Sequence, residues 1–86
     1  VDGMKITVRY FAAIREAVGP GSELMDTHAT TLAQLRDELI ARGAPWSEVL
    51  ARGRAVRLAL DQTLCDESAA LREGCEVAFF PPVTGG

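Results

Sequence analysis

The stretch Cys75-Glu76-Val77-Ala78-Phe79-Phe80-Pro81-Pro82-Val83-Thr84-Gly85-Gly86 decides how this chain is read. Its first half alternates as a strand does, with Val77 and Phe79 on one face and Ala78 and Phe80 on the other. Its second half cannot continue a sheet. Pro81 and Pro82 lack ladder donors and hold the backbone extended. Gly85 and Gly86 have no side chains, so the last peptide can thread a channel too narrow for any other residue. Residues 81–86, fully extended, reach roughly 20 Å. An apolar strand thus runs into a slim, stiff arm that presents a free carboxylate. A Gly-Gly ending alone fits a frayed terminus. The aromatic pair and the Pro-Pro step upstream favour a terminus delivered into another protein's active site.

Working back from the arm, the rest of the chain supplies a small α+β domain. Residues 4–10 alternate strictly, with Met4, Ile6, Val8 and Tyr10 opposite Lys5, Thr7 and Arg9, the pattern of a half-buried strand. Residues 11–18 read as a short helix or turn stopped by Gly19-Pro20-Gly21, and residues 22–25 as a second strand paired back on the first. A longer helix follows. Thr31 can cap it, with Gln34 completing a capping box. Leu32, Leu35, Leu39 and Ile40 form its apolar stripe, Glu38 and Arg42 stand at i, i+4, and Gly43 supplies the stop. Pro45 can open another short helix carrying Trp46, Val49 and Leu50. Residues 54–60 alternate again, Asp61-Gln62 is a turn, residues 63–65 a return strand, and Glu73-Gly74 the turn before the last strand. Helices on one side of a mixed sheet follow from this order. The outer face would then carry Lys5, Thr7, Arg9, Arg57, Ala59, Glu76, Ala78 and Phe80. Phe80 is the one large aromatic among them, at the base of the arm, which makes it a candidate interface anchor. Lys5, Arg9 and Arg57 would make this face locally basic, suited to steering an acidic partner.

Bulk properties narrow the function classes. Eighty-six residues at 48% apolar content make one domain with one modest core. A net charge of −3 argues against general nucleic-acid affinity. The longest uncharged run, residues 77–86, is too short and too proline-broken to span a bilayer. Cys65 and Cys75 match no metal spacing and read as reduced packing residues, and His28 as a solvated loop residue. With no secretory signal in view, the expected location is cytoplasmic. Val1-Asp2-Gly3 stand apart from the periodic segment that Met4 opens, so the domain is taken as residues 4–86.

The segments Met4-Lys5-Ile6-Thr7-Val8-Arg9-Tyr10-Phe11-Ala12-Ala13-Ile14-Arg15-Glu16, Asp61-Gln62-Thr63-Leu64 and Glu76 through Gly86 resemble the MoaD/ThiS-type ubiquitin-like sulfur carriers. The ending is similar above all to the small subunits of molybdopterin synthase. One departure is Asp61, where many relatives have asparagine. The resemblance implies a β-grasp fold and a mechanism without a catalytic side chain. A ubiquitin-activating-type adenylyltransferase uses ATP to adenylate the Gly86 carboxylate, and a persulfide donor converts it to a thiocarboxylate. That group, a soft nucleophile, gives its sulfur to a cyclic pyranopterin monophosphate on the large subunit of the synthase. The family forms a heterotetramer, and the substrate pocket lies mainly on the large subunit. No bound cofactor is expected, and the chain alone is not expected to be a catalyst. By the same resemblance, Gly86 and Gly85 are the reacting end. Phe80, Pro81, Pro82, Val83, Thr84, Leu64, Arg15 and Phe11 are the partner-contact residues. Three alternatives remain open from the residues. They are a carrier for thiamine, cysteine or tRNA thiolation, a ubiquitin-like modifier conjugated through Gly86, and an interaction module that never uses its carboxylate.

Overall fold

Strand alternation and one amphipathic helix are enough to build this molecule. The structure, a computed structural model, describes residues 3–51, 53 and 55–82. The elements run β1 (Met4–Tyr10), α1 (Ala12–Val18), β2 (Ser22–Thr27), α2 (Leu32–Ile40), α3 (Trp46–Val49), β3 (Arg57–Leu60), β4 (Thr63–Cys65) and β5 (Glu76–Phe80). The strands form one five-stranded sheet in the order β2-β1-β5-β3-β4. β1 and β5 pair in parallel at its centre, with Val8 opposite Val77 and Tyr10 opposite Phe79, and the other pairings are antiparallel. This is the β-grasp arrangement that the resemblance implies.

The alternation in β1 and β5 sets which side is core. Ile6, Val8, Tyr10, Val77 and Phe79 are buried on one face, with Leu58 of β3 beside them. Leu32, Leu35 and Leu39 of α2, Ile14 of α1 and Leu50 close over that face to make a single apolar cluster. Tyr10 and Phe79 stack within it, their rings 6.3 Å apart and 17° from parallel. Both β2 and β3 differ from the sequence expectation at their ends. β2 continues two residues further, to Thr27, because Lys5 and Met4 remain available to pair with Asp26 and Thr27. β3 begins at Arg57, where pairing with Phe80 begins; Ala55 and Val56 precede it and Arg54 lies outside the described residues. Gly3 abuts the end of β2, where a Cβ would stand 2.2 Å from the Thr27 carbonyl oxygen.

Several polar side chains fix the connections. The Thr31 hydroxyl accepts from the Gln34 N–H, as a helix cap should. The return half of the box shifts by one residue: Gln34 Oε1 takes the N–H and hydroxyl of Thr30. The i, i+4 neighbours Glu38 and Arg42 each turn to β2 instead of to one another. The Thr27 hydroxyl donates to Glu38, and Arg42 forks onto both oxygens of Glu23 at 3.1 and 3.2 Å. Arg36 is buried within the apolar stripe of α2. It donates to the carbonyls of Leu50 and Ala51, each at 2.7 Å, and pairs with Glu67 at 2.6 Å, which secures the chain after α3 to the helix. Asp61 and Gln62 both adopt positive φ, 50° and 71°, in the two-residue turn joining β3 to β4. Asp61 Oδ1 accepts the Glu76 N–H at 3.0 Å, and its other oxygen takes Arg72. The carboxylate therefore ties that turn to the start of β5, a structural task an asparagine carbonyl could share.

Burial pushes the Glu23 carboxyl up, but hydrogen bonds from Arg42 and Tyr10 outweigh it and hold the group below its ordinary value. On the other side of that bond, burial and then Glu23 push the Tyr10 phenol up. A carboxyl held low in the folded state contributes stability above its unfolded pKa and loses it as pH falls through the folded value. The wild-type chain should therefore lose more stability between neutral pH and about pH 3 than Glu23→Gln does, measured by urea unfolding at each pH. Equal slopes would mean the Glu23 pairing does not stabilise the fold.

Strand parity yields a second expectation. Phe79 is completely buried, whereas Phe80 is half-buried on the opposite face. Phe79→Ala should cost about 3–5 kcal/mol of folding stability and Phe80→Ala clearly less, by chemical denaturation. The reverse order would invert the assignment of faces.

Candidate functional site

The outer face of the sheet holds a groove at the root of the arm. β5 turns Ala78 and Phe80 outward, β3 adds Ala59, β4 adds Leu64, and Phe11 stands just before α1. With Arg9, Gln62 and Glu76 at the rim, these residues enclose about 490 Å³. Its floor is small: Ala59 and Ala78 are both buried although they point away from the core. Its walls are large: Leu64 is 60% exposed, Phe11 38%, and Phe80 meets Phe11 edge-on at 6.4 Å and 86°. Exposed leucine and phenylalanine around an alanine floor suit the insertion of an apolar side chain from a partner.

The sequence-derived contact residues separate into three groups. Phe11, Leu64 and Phe80 come together around the groove, and Pro81 and Pro82 follow Phe80 half-buried. Arg15 is exposed on α1 and lines a different depression, with Ala12, Glu16 and Gly19. Val83, Thr84, Gly85 and Gly86 lie outside the described residues. Sequence parity found Phe80 but missed that Ala59 and Ala78 floor a groove. The floor exists only once β3 and β5 lie in register, which brings the two alanines side by side between larger neighbours.

The electrostatics of this face are mixed rather than basic. Arg9 pairs with Glu76 at 3.1 Å, and Arg72 pairs with Asp61 on the next turn. Arg9 also lies over the Phe11 ring, 5.2 Å from its centroid. Lys5 sits opposite Asp26 in the β1–β2 register. Two of the three expected cations, Arg9 and Lys5, thus face carboxylates from neighbouring strands, while Arg57 stays exposed on the same face.

Groups that could do covalent chemistry are placed unfavourably. Cys75 is buried, and burial together with the Asp66 charge pushes the half-buried Cys65 thiol up, away from the reactive thiolate. His28 is exposed on the loop between β2 and α2. Among the described residues, no group of three or more His, Cys, Asp or Glu could hold a metal ion. No helix among them is long and apolar enough to cross a membrane. The arrangement offers binding and presentation.

Known proteins share the sequence pattern and the fold. The chain is 40% identical over 81 residues to the Escherichia coli molybdopterin synthase sulfur carrier subunit, covering 94% of this chain and 99% of that one. The solution structure of the Haloferax volcanii HVO 2177 protein superposes with a TM-score of 0.82 at 26% identity, covering 99% of this chain and 89% of that one. A chain of the Helicobacter pylori complex of subunits 1 and 2 of molybdopterin-converting factor superposes at 0.66 with 25% identity, covering 96% and 100%. Residues 8–86, which include the groove and the entire arm, match the ThiS family, and the chain belongs to it.

Proposed function

We propose that this chain is the sulfur carrier subunit of a molybdopterin synthase, with Gly86 as the residue that carries the sulfur. The observation that supports it most is the joining of two features in one short stretch. Phe80 forms one wall of an apolar groove, and Pro81 directly after it begins the arm to Gly85-Gly86. A docked partner would thereby fix the root of the arm, and the arm's reach of roughly 20 Å would carry its end into the partner's pocket. The E. coli relative bears this function in its name, and the H. pylori structure holds a chain of this shape in complex with a second subunit.

In this reading the chemistry enters at the terminus. A carboxylate is a poor electrophile; a ubiquitin-activating-type adenylyltransferase spends ATP to convert it to an acyl adenylate with loss of pyrophosphate. The terminal sulfur of a persulfide donor attacks the adenylate and displaces AMP, giving an acyl disulfide. A thiol then cleaves its S–S bond, forming a disulfide with the donor and leaving a thiocarboxylate on Gly86. The thiocarboxylate attacks the pterin precursor bound by the large subunit. A dithiolene contains two sulfurs, so two charged carriers are consumed for each product. The carrier's own duties are reach, slimness and a docking surface. A heterotetramer of two carriers on a large-subunit dimer fits these needs, as does a cytoplasmic location, where nucleotide and persulfide are at hand.

Removing Gly86, or adding one residue after it, should abolish sulfur transfer and leave folding stability within about 0.5 kcal/mol of wild type. The check is intact mass after incubation with activating enzyme, ATP and sulfur donor, followed by product assay with the large subunit. Normal product from the chain lacking Gly86 would end the proposal. Isopeptide-linked adducts in place of product would assign the chain to protein modification instead.

Phe80→Ala should weaken binding to the large subunit by about 2 kcal/mol, as for a central aromatic anchor, by calorimetric titration. Unchanged affinity would remove the groove from the docking surface.

A further inference from the structure

The groove carries a charged pair, Arg9 and Glu76, that its apolar role does not explain. Arg9 projects from β1 onto the outer face, in register with Ala78. Its Nη1 reaches Glu76 Oε2 at 3.1 Å, and its guanidinium carbon lies 5.2 Å above the Phe11 ring. Phe11 in turn meets Phe80 edge-on. The Glu76 backbone is held in turn, since its N–H donates to Asp61. A continuous series of contacts therefore runs from the Asp61 turn, through Glu76 and Arg9, to the two rings that wall the groove.

We propose that Arg9 is a positioning residue for docking: held by Glu76, it orients Phe11 and, through Phe11, the Phe80 ring at the root of the arm. This rests on the reading of the outer face as the surface that engages the large subunit. The physical reason is rotamer freedom. Phe11 is flanked by backbone turning into α1 and is more than a third exposed, so the core does not hold its ring. A ring that must be ordered on binding costs affinity, and one already ordered does not. The planar guanidinium covers one face of Phe11 by cation–π attraction, while the carboxylate of Glu76 restricts the guanidinium. A lysine would keep the charge but present a compact ammonium instead of a plane.

Two measurements test this separately. The first uses the free chain and needs no partner. With Phe rings isotopically labelled, the Phe80 ring protons should show ring-current shifts from Phe11. Arg9→Gln should move them toward unstructured values while core amide shifts stay fixed, Arg9→Lys should move them less, and Glu76→Gln should move them in the same direction. Unmoved ring signals in Arg9→Gln would overturn the proposal, whatever the chain's function. The second is a double-mutant cycle on binding to the large subunit. Arg9→Gln should weaken binding about 2- to 5-fold in the wild-type background, the size of an exposed cation–π contact. It should have no further effect once Phe11→Leu has removed the ring. An undiminished Arg9→Gln effect in the Phe11→Leu background would overturn the proposal by making Arg9 a direct charge contact. Should the wild-type chain fail to bind the large subunit at all, the sulfur-carrier reading falls, and the ring signals still decide the role of Arg9 in ordering the groove.

Discussion

The period-two geometry of one central strand organises this molecule. β5 pairs with β1 on one side and β3 on the other, and successive side chains must take opposite faces. Phe79 and Phe80 are neighbours in sequence, yet they cannot share an environment. Phe79 goes inward, stacks on Tyr10 and is sealed by the helices. Phe80 is left on the outer face with Phe11 and Leu64. The same strand thus anchors the core and exposes an aromatic immediately before the arm. A register slip of one residue would exchange the two and destroy both functions together.

The surrounding polar contacts maintain that register at its ends. Asp61 captures the first N–H of β5 through the β3–β4 turn, and Phe11 donates its N–H to the Phe79 carbonyl at the other end. On the inner side, Trp46 donates to the Tyr10 hydroxyl, which donates to Glu23, which receives Arg42. That network joins α3, β1, β2 and the end of α2 behind the stacked Tyr10–Phe79 pair. The strand that leads into the arm is therefore braced on its inner face and at both ends. A stiff root matters because an arm without side chains at its tip has little of its own to hold it in place.

Much of this was legible in the sequence because it is local. Alternation in residues 4–10 and 76–80 gave the faces, the Leu32–Leu35–Leu39 spacing gave the covering helix, and Gly43 and Gly74 marked turns, where both have positive φ. What sequence reading missed depends on which strands lie side by side. Arg9 finds Glu76 only because β1 and β5 are parallel neighbours, so an expected basic face became a mixed one. Glu38 and Arg42 are spaced i, i+4, but α2 ends at Ile40, before Arg42, and each finds its partner on β2. The burial of Arg36 was not read from the sequence, and its partners after α3 and at Glu67 are far along the chain. The alanine floor of the groove likewise needs two strands in register before it exists. The proposed reacting end, Gly85-Gly86, was read from what those residues lack together with the family resemblance of the ending.

The account depends on the outer face, and not the helical face, being the one that a partner covers. The direct test is a titration of the isotopically labelled chain with the large subunit of molybdopterin synthase, followed by backbone amide shifts. Changes concentrated at Phe11, Leu64, Ala78, Phe80 and the arm, with the exposed side of α2 unaffected, are expected. Changes concentrated on α2 and α3, with the β5 outer face silent, would contradict the division of labour between Phe79 and Phe80 on which the functional reading rests.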